Sequence, residues 1–310
     1  VKDHEKLTII VPGSTANLGP GFDSVGLAVN RKLILNIEKN ETWEFVPICS
    51  EVSSIPSGSD NLMYKVAHRL AAKYDAILPP CRVEVWSDIP LARGLGSSAA
   101  AIVAGIELAN QLADLQLTNN EKLRFASLYE GHPDNVGASL YGGLVIGSHH
   151  KDETYMLRVN QLNVEIIAVI PHFEVPTKVA RSVLPTQFSF EKAVEASAIG
   201  NVLVGALLIE DWQLAGKMMD KDLFHQPYRT TLIPQMTQIF SVAKQAGAFG
   251  VALSGAGPTV LCLAEKGKGM SIAKELRSCL DSFDVHELEV DLEGCVVKKT
   301  AELLHGRAEK

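Results

Sequence analysis

Pro90-Leu91-Ala92-Arg93-Gly94-Leu95-Gly96-Ser97-Ser98-Ala99-Ala100 is the stretch on which the fold turns. Two glycines, two positions apart, precede a pair of serines and a run of small helix-forming residues from Ala99 to Ala109. Glycine at 94 and 96 permits positive φ and leaves no side chain between a backbone amide and a ligand. Ser97 and Ser98 stand where a helix should begin, so unsatisfied N–H groups point into the loop. Reinforced by the helix dipole, that arrangement suits phosphate. A nucleotide is therefore the first ligand to consider.

The same loop has rival readings. Gly94-Leu95-Gly96-Ser97-Ser98-Ala99 also fits the dinucleotide pattern G-x-G-x-x-A. That pattern wants a strand directly before it and an acid ending a second strand about 20 residues later. Pro90 interrupts the approach, and the acid at that distance, Asp114, closes a helix. A Walker A loop needs Gly-Lys-Ser/Thr, which the chain lacks. A glycine turn that merely caps a buried helix is the remaining alternative, and two further motifs weigh against it.

With 310 residues, 46% of them hydrophobic, the chain can bury one large core or two ordinary ones. A net charge of −7 without a basic run argues against nucleic acid as the main partner. Any anionic nucleotide must then be held by local groups. Cys49, Cys81, Cys262, Cys279 and Cys295 lack metal or C-x-x-C spacing and read as reduced thiols. No signal peptide and no apolar run of membrane-spanning length is visible, so a cytoplasmic protein without a membrane partner is expected.

Strands are expected at Leu7–Val11, Lys32–Glu38, Trp43–Ile48 and Arg82–Trp86, with a helix from about Asn61 to Tyr74. Thr118 and Glu121 make a capping box for a helix to about Leu128. Gly142–Gly147 and Tyr155–Val159 read as paired strands. A second half opens with the buried-looking strand Val164–Ile170. Helices follow at about Phe190–Ile209, Trp212–Asp220 and Ile233–Ala246. Strands at Gly250–Leu253, Thr259–Ala264 and Val285–Val290, with a helix at about Met270–Leu280 among them, complete it. The fold class is α+β in two packed domains, residues 1–155 and 156–310, with a ligand cleft between them.

Three other constellations could carry chemistry. Pro12-Gly13-Ser14-Thr15-Ala16-Asn17-Leu18-Gly19-Pro20-Gly21-Phe22-Asp23 reads as a rigid loop leaving a strand. In it Asn17 and Asp23 either meet a ligand or cap their own turn. Glu130-Gly131-His132-Pro133-Asp134-Asn135 supplies a carboxylate that, with the Ser98 hydroxyl, meets the modest protein-ligand demand of ATP-bound Mg²⁺. His132 lacks partners at metal spacing and reads as a substrate hydrogen-bonder or a packing residue. Ser254-Gly255-Ala256-Gly257-Pro258-Thr259 is a glycine turn that could simply close a hairpin. Arg181 and Arg229 are forks suited to carboxylate or phosphate.

Taken in order, PGSTANLGPGFDSVGLA, PLARGLGSSAA, EGHPDN, ARSVLP, QPYR and SGAGPT resemble the GHMP kinase superfamily across essentially the whole chain, most closely its homoserine kinase branch. The resemblance implies a ribosomal-S5-like N-terminal domain that binds ATP and a ferredoxin-like C-terminal domain. It implies phosphorylation of the L-homoserine hydroxyl in threonine biosynthesis; a mevalonate- or sugar-type kinase, or a non-catalytic ligand-binding protein on the same scaffold, is the alternative. By it, Pro90–Ala100 would wrap the triphosphate, Ser98 and Glu130 would hold Mg²⁺, and Asn61 would lie near the adenine. Asn17, Asp23, His132, Asn135, Thr177, Arg181, Arg229 and Gly255 would surround homoserine, with Asn17, Asp23, Asn135 and Arg181 closest to the chemistry. A homodimer is compatible with it. Several relatives carry an aspartate near the position of Asn135, and an amide cannot take a full proton. Transfer by alignment is thus expected, with Asp134 turned away and Asp23 left open as a base.

Overall fold

The computed structural model describes residues 5–160 and 162–301. Its first half runs β1 (Glu5–Asn17), β2 (Gly21–Lys39), β3 (Glu44–Pro47), α1 (Leu62–Lys73), β4 (Cys81–Ser87), α2 (Ser97–Leu112), α3 (Asn119–Glu130), α4 (Asp134–Tyr141), β5 (Leu144–His149) and β6 (Thr154–Val159). The second half continues with β7 (Val164–Pro171), α5 (Thr177–Ser182), α6 (Phe190–Leu208), α7 (Trp212–Met219), α8 (Gln226–Arg229) and α9 (Met236–Gln245). It ends with β8 (Gly250–Leu253), β9 (Val260–Glu265), α10 (Gly269–Cys279), β10 (Phe283–Leu288) and β11 (Val296–Ala301). The mixture of helix and sheet is the α+β class expected.

The stretch from Pro12 to Asp23, expected as a loop, is mostly strand. β1 and β2 form one long antiparallel hairpin closed by a tight turn at residues 18–20. Register shifts at Pro12/Gly13 and Ala16/Asn17 absorb the proline and glycines as bulges, which bend the pair without ending it. β2 is long enough to pair with β5 through Val25–Leu27 and with β4 through Leu33–Lys39. The sheet order is β11-β1-β2-β4-β3, with β5 and β6 branching from β2.

Helices cover this sheet for reasons visible in their sequences. Asn61 caps α1, and Met63, Val66, Ala67 and Leu70 place one buried stripe inward. α2 is apolar nearly all round and buried from Ala99 to Asn110, packed between α1 and α4. Its one buried acid, Glu107, is paired with Lys122 at 2.6 Å. The capping box at Thr118 and Glu121 starts α3 as expected.

The second sheet has the order β10-β7-β9-β8, every pair antiparallel. β7, β8 and β9 are buried on both faces, whereas the edge strand β10 exposes Asp284 and Glu287. Ile167, Val169, Val251 and Cys262 face Ile272 and Leu276 of α10, whereas Ile166, Ala168, Leu261 and Leu263 face the core shared with α6 and α7. The two sheets part between Val159 and Val164, so a cut at 155/156 falls inside β6. β11 then returns to pair with the outer edge of β1, which gives the final strand to the first sheet. All five cysteines are free thiols. Among the described residues, no helix is long and apolar enough to cross a membrane.

Candidate active site

A cavity of about 240 Å³ opens where the two sheets meet. The β1–β2 hairpin lends Asn17, Phe22 and Asp23; the α3–α4 junction lends Glu130, His132, Asp134 and Asn135. From the second half come Val175, Thr177, Arg181, Arg229 and Gly255–Gly257. Of the glycine loop, Ala92, Gly94, Gly96, Ser97, Ser98 and Ala99 line the wall.

Gly96 is the N-cap of α2, in the left-handed region with φ 75° and no side chain to cap it. The first backbone bond of the helix is Ala100 N–H to Gly96 O, 2.9 Å, which leaves the amides of Ser97, Ser98 and Ala99 ahead of it. This is an anion site made of backbone. Both glycines take the positive φ expected of them, 85° at Gly94 and 75° at Gly96, and close packing adds a second demand. A Cβ on Gly96 would lie 2.2 Å from Ser14 Oγ, and one on Gly94 would lie 2.4 Å from Ser254 O. They are needed where the loop lies against β1 and the 254–257 turn.

Pro90, Leu91, Arg93, Leu95 and Ala100 do not line the cavity. Leu95 and Ala100 are buried in the core. Arg93 reaches outward to Pro171 O (2.9 Å), His172 O (3.2 Å) and Glu174 Oε1 (3.0 Å), clamping the loop to the end of β7. The turn Ser254–Pro258 does close the β8–β9 hairpin, and it also docks on the loop through Ser254 Oγ to Gly94 O, 2.6 Å.

Ser98 Oγ and Glu130 Oε2 stand 3.5 Å apart across the helix N-terminus. Burial pushes the Glu130 carboxyl upward in pKa, with the neighbouring His132 pulling the other way. Asp134, expected to turn away, faces the cavity. It opens α4, is almost fully buried, and its Oδ1 accepts from the Asn135 amide (2.7 Å) and meets His132 Nδ1 at 2.6 Å. Burial disfavours a charged His132, but the Asp134 bond and the charges of Asp134, Asp23 and Glu130 outweigh it and raise its pKa. Asn135 donates to Ser14 Oγ at 3.0 Å.

Asp23 and Arg181 form a two-bond pair at 2.8 and 3.1 Å. Burial works against the Arg181 charge, and the bond to Asp23 overcomes it and raises the pKa. Arg229 is 2% exposed and, among the described residues, has no carboxylate within ion-pair distance. Burial, and then the Arg181 charge, lower its pKa to about 10. Both guanidinium carbons lie over the Phe22 ring, 5.6 and 5.5 Å from its centre.

Asn17 sits at φ 73° and is fully engaged: Oδ1 accepts from Asp23 N (3.0 Å) and Nδ2 donates to Gly255 O (3.1 Å). It ties the hairpin to the glycine turn of the other half. Thr177 begins α5 at the cavity mouth. Asn61 is not brought to the cavity; its oxygen caps Met63 N (2.9 Å) and its nitrogen donates to Pro56 O (2.8 Å).

Residues 61–143 match the family model "GHMP kinases N terminal domain", and residues 203–282 match "GHMP kinases C terminal". The chain is 56% identical to the homoserine kinase of Bacillus licheniformis, over 94% of this chain and 95% of that one. The chain belongs to the homoserine kinase family of the GHMP kinases. The homoserine kinase of Halalkalibacterium halodurans is 50% identical over 94% of both chains. A crystal structure of homoserine kinase from Cytophaga hutchinsonii superposes with a TM-score of 0.81 at 29% identity, covering 94% of this chain and 97% of that one. L. major mevalonate kinase in complex with R-mevalonate superposes at 0.67 with 18% identity, covering 91% and 94%, a likeness of fold alone. Membership makes the chain a kinase that takes ATP and a small-molecule acceptor. Phe22, Asp134 and Ser14 were missed as site residues although each lies inside a family motif. Their side chains become relevant only when the hairpin, α4 and α2 are brought together.

Proposed function

We propose that this chain transfers the γ-phosphoryl group of ATP to the hydroxyl of L-homoserine, giving O-phospho-L-homoserine and ADP, a step toward threonine. One observation carries the reading: the opposed pair Asp23–Arg181 lies beside a second guanidinium, Arg229, in the cavity that contains the α2 N-terminus. A zwitterion can replace both partners at once. Its ammonium takes the place of Arg181 at Asp23, and its carboxylate takes the place of Asp23 at the guanidinium groups. A neutral sugar offers neither group, and mevalonate offers only the carboxylate. His132, Thr177 and Gly255 complete the enclosure. The Ser98–Glu130 pair, able to hold the metal that transfer needs, supports a kinase over a binding protein.

The amides of Ser97, Ser98 and Ala99 would receive the phosphates, helped by the dipole of α2. Ser98 and Glu130 fit Mg²⁺: both offer hard oxygens, they stand 3.5 Å apart, and a desolvated carboxylate gains from a cation. Asp23, His132 and Asp134 also converge, but Arg181 takes both Asp23 oxygens, and Asp134 Oδ1 is shared by His132 and the Asn135 amide. Bound at Ser98 and Glu130, the ion would neutralise charge on the phosphates. Asn135 can orient the acceptor hydroxyl and cannot take its proton. With Asp23 given over to the substrate ammonium, alignment and charge stabilisation are left to lower the barrier of a loose transition state. A panel of homoserine, mevalonate and galactose with ATP and Mg²⁺ tests the reading. Homoserine should be turned over best, and a higher kcat/KM for either of the others overturns it.

A further inference from the structure

His225 is wholly buried, immediately before α8, and has no contact with the cavity. Its Nε2 lies 3.0 Å from Gly19 O in the β1–β2 turn, and its Nδ1 lies 3.3 Å from Arg229 Nη1. A carbonyl can only accept and a guanidinium can only donate, so Nε2 carries the proton and Nδ1 is the acceptor. Asp222 Oδ2, 3.5 Å from Nε2, is already taken by the backbone amides of His225 (3.1 Å) and Gln226 (2.7 Å). Burial keeps the ring neutral, pushing its pKa down to about 4, so this tautomer holds at neutral pH. Phe22, the ring beneath both arginines, stacks on the imidazole at 5.4 Å.

Arg229 has three anchors from three segments. Nε donates to Ala180 O of α5 (3.0 Å) and Nη1 to Gly255 O of the glycine turn (2.8 Å); His225 is the third. The two carbonyls belong to the second half of the chain. His225 adds a hydrogen-bonded link from the guanidinium to the turn of the hairpin that bears Asp23, beside the Phe22 ring and the Gly255 carbonyl that Asn17 shares. We propose that His225 is a positioning residue, whose imidazole holds Arg229 so that the free edge of the guanidinium meets the substrate carboxylate at a fixed distance from Asp23. The inference rests on the reading of Arg229 as the partner of that carboxylate.

Two variants separate the two ends of the ring. The Oδ1 of Asn reaches the place of Nδ1 and keeps the acceptor for Arg229; the amide of Gln reaches the place of Nε2 and keeps only the bond to Gly19. H225Q should raise the homoserine KM by about tenfold, the worth of one buried charge-assisted bond, with ATP KM and kcat little changed. H225N should restore a homoserine KM close to that of the unaltered enzyme. A normal homoserine KM in H225Q overturns the proposal, as does an equal rise in the homoserine and ATP KM values in both variants. Should the variants fail to fold, nitrogen NMR of the unaltered enzyme decides: the Nε2–H tautomer is expected, with an Nδ1 resonance that moves in R229K. The opposite tautomer, or an unmoved resonance, overturns the assignment. R229L, assayed on homoserine and on the amino alcohol that homoserine becomes without its carboxylate, tests the underlying reading separately. If R229L discriminates normally, the carboxylate reading fails; if it loses discrimination while H225Q keeps a normal KM, only the positioning role fails.

Discussion

Arg229 keeps a full charge in a place where charge is costly, and the surrounding residues show what offsets that cost. Its bonds go to two carbonyls and an imidazole, and no carboxylate reaches it among the described residues. A substrate carboxylate would complete the site, so Arg229→Leu should raise the homoserine KM by two orders of magnitude or more, roughly 3–5 kcal/mol for a broken buried pair. The ATP KM should stay within a few-fold in steady-state assays. Glu130→Gln should act on the other variable, lowering kcat by about a hundredfold or more with a smaller change in nucleotide binding, because charge neutralisation matters most during transfer. His225 adds a pH dependence to stability. Its folded pKa lies near 4 and its unfolded value near 6.5, so the unfolded state binds the extra proton between those limits. Stability is complete above about pH 6.5 and falls on acidification by up to about 3 kcal/mol toward pH 4. Thermal unfolding of the unaltered protein and of H225N between pH 7 and 5 should show a steeper loss in the former, since His68, His149 and His286, also lowered, contribute equally to both.

At the scale of elements, the N-terminus of α2 is where design and test must be separated. Gly96→Val puts a Cβ against Ser14 at φ 75°, so its failure would report strain, on the order of 2–4 kcal/mol, and not the loss of a phosphate contact. Ser97→Glu is the cleaner probe. A carboxylate there favours the helix start while repelling phosphate, so the melting temperature should hold while the ATP KM rises by about tenfold or more. The helices that carry this site were legible where they were long and capped, as in α1 behind Asn61 and α3 behind the Thr118 box. α5 and α8 were not, since four to six residues complete too few turns to show a period. The hairpin was misread because proline and glycine signal a loop, and only pairing across the sheet turns them into bulges. Ser98 and Glu130 could be matched from residue type alone. Asp134 could not, because its direction depends on α4 beginning at that very residue, which no residue pattern marked.

Over the whole molecule, the site exists because two separate sheets meet at one cavity. β11 adds a covalent return to the contacts that join them, since the chain leaves β10 of the second sheet and pairs with β1 from Glu5↔Ala301 to Ile10↔Val296. A chain ending at Gly294 should lose stability by several kcal/mol and aggregate, as the outer edge of β1 would offer unpaired amides to any passing strand. Size-exclusion profiles and thermal melts would register this, and an unchanged melting temperature would show β11 to be dispensable. Intrinsic fluorescence from Trp43 and Trp86 in the first half and Trp212 in the second should report a single unfolding transition. The return of β11 also has a consequence for the order of events during synthesis. β1 is among the earliest described residues to leave the ribosome, and its outer partner is the last. Through all the time that the second sheet is being translated, the first must wait with one border unsealed. Such a protein does not complete its nucleotide half early and add the acceptor half afterwards; the first sheet is closed only once β11 has been made.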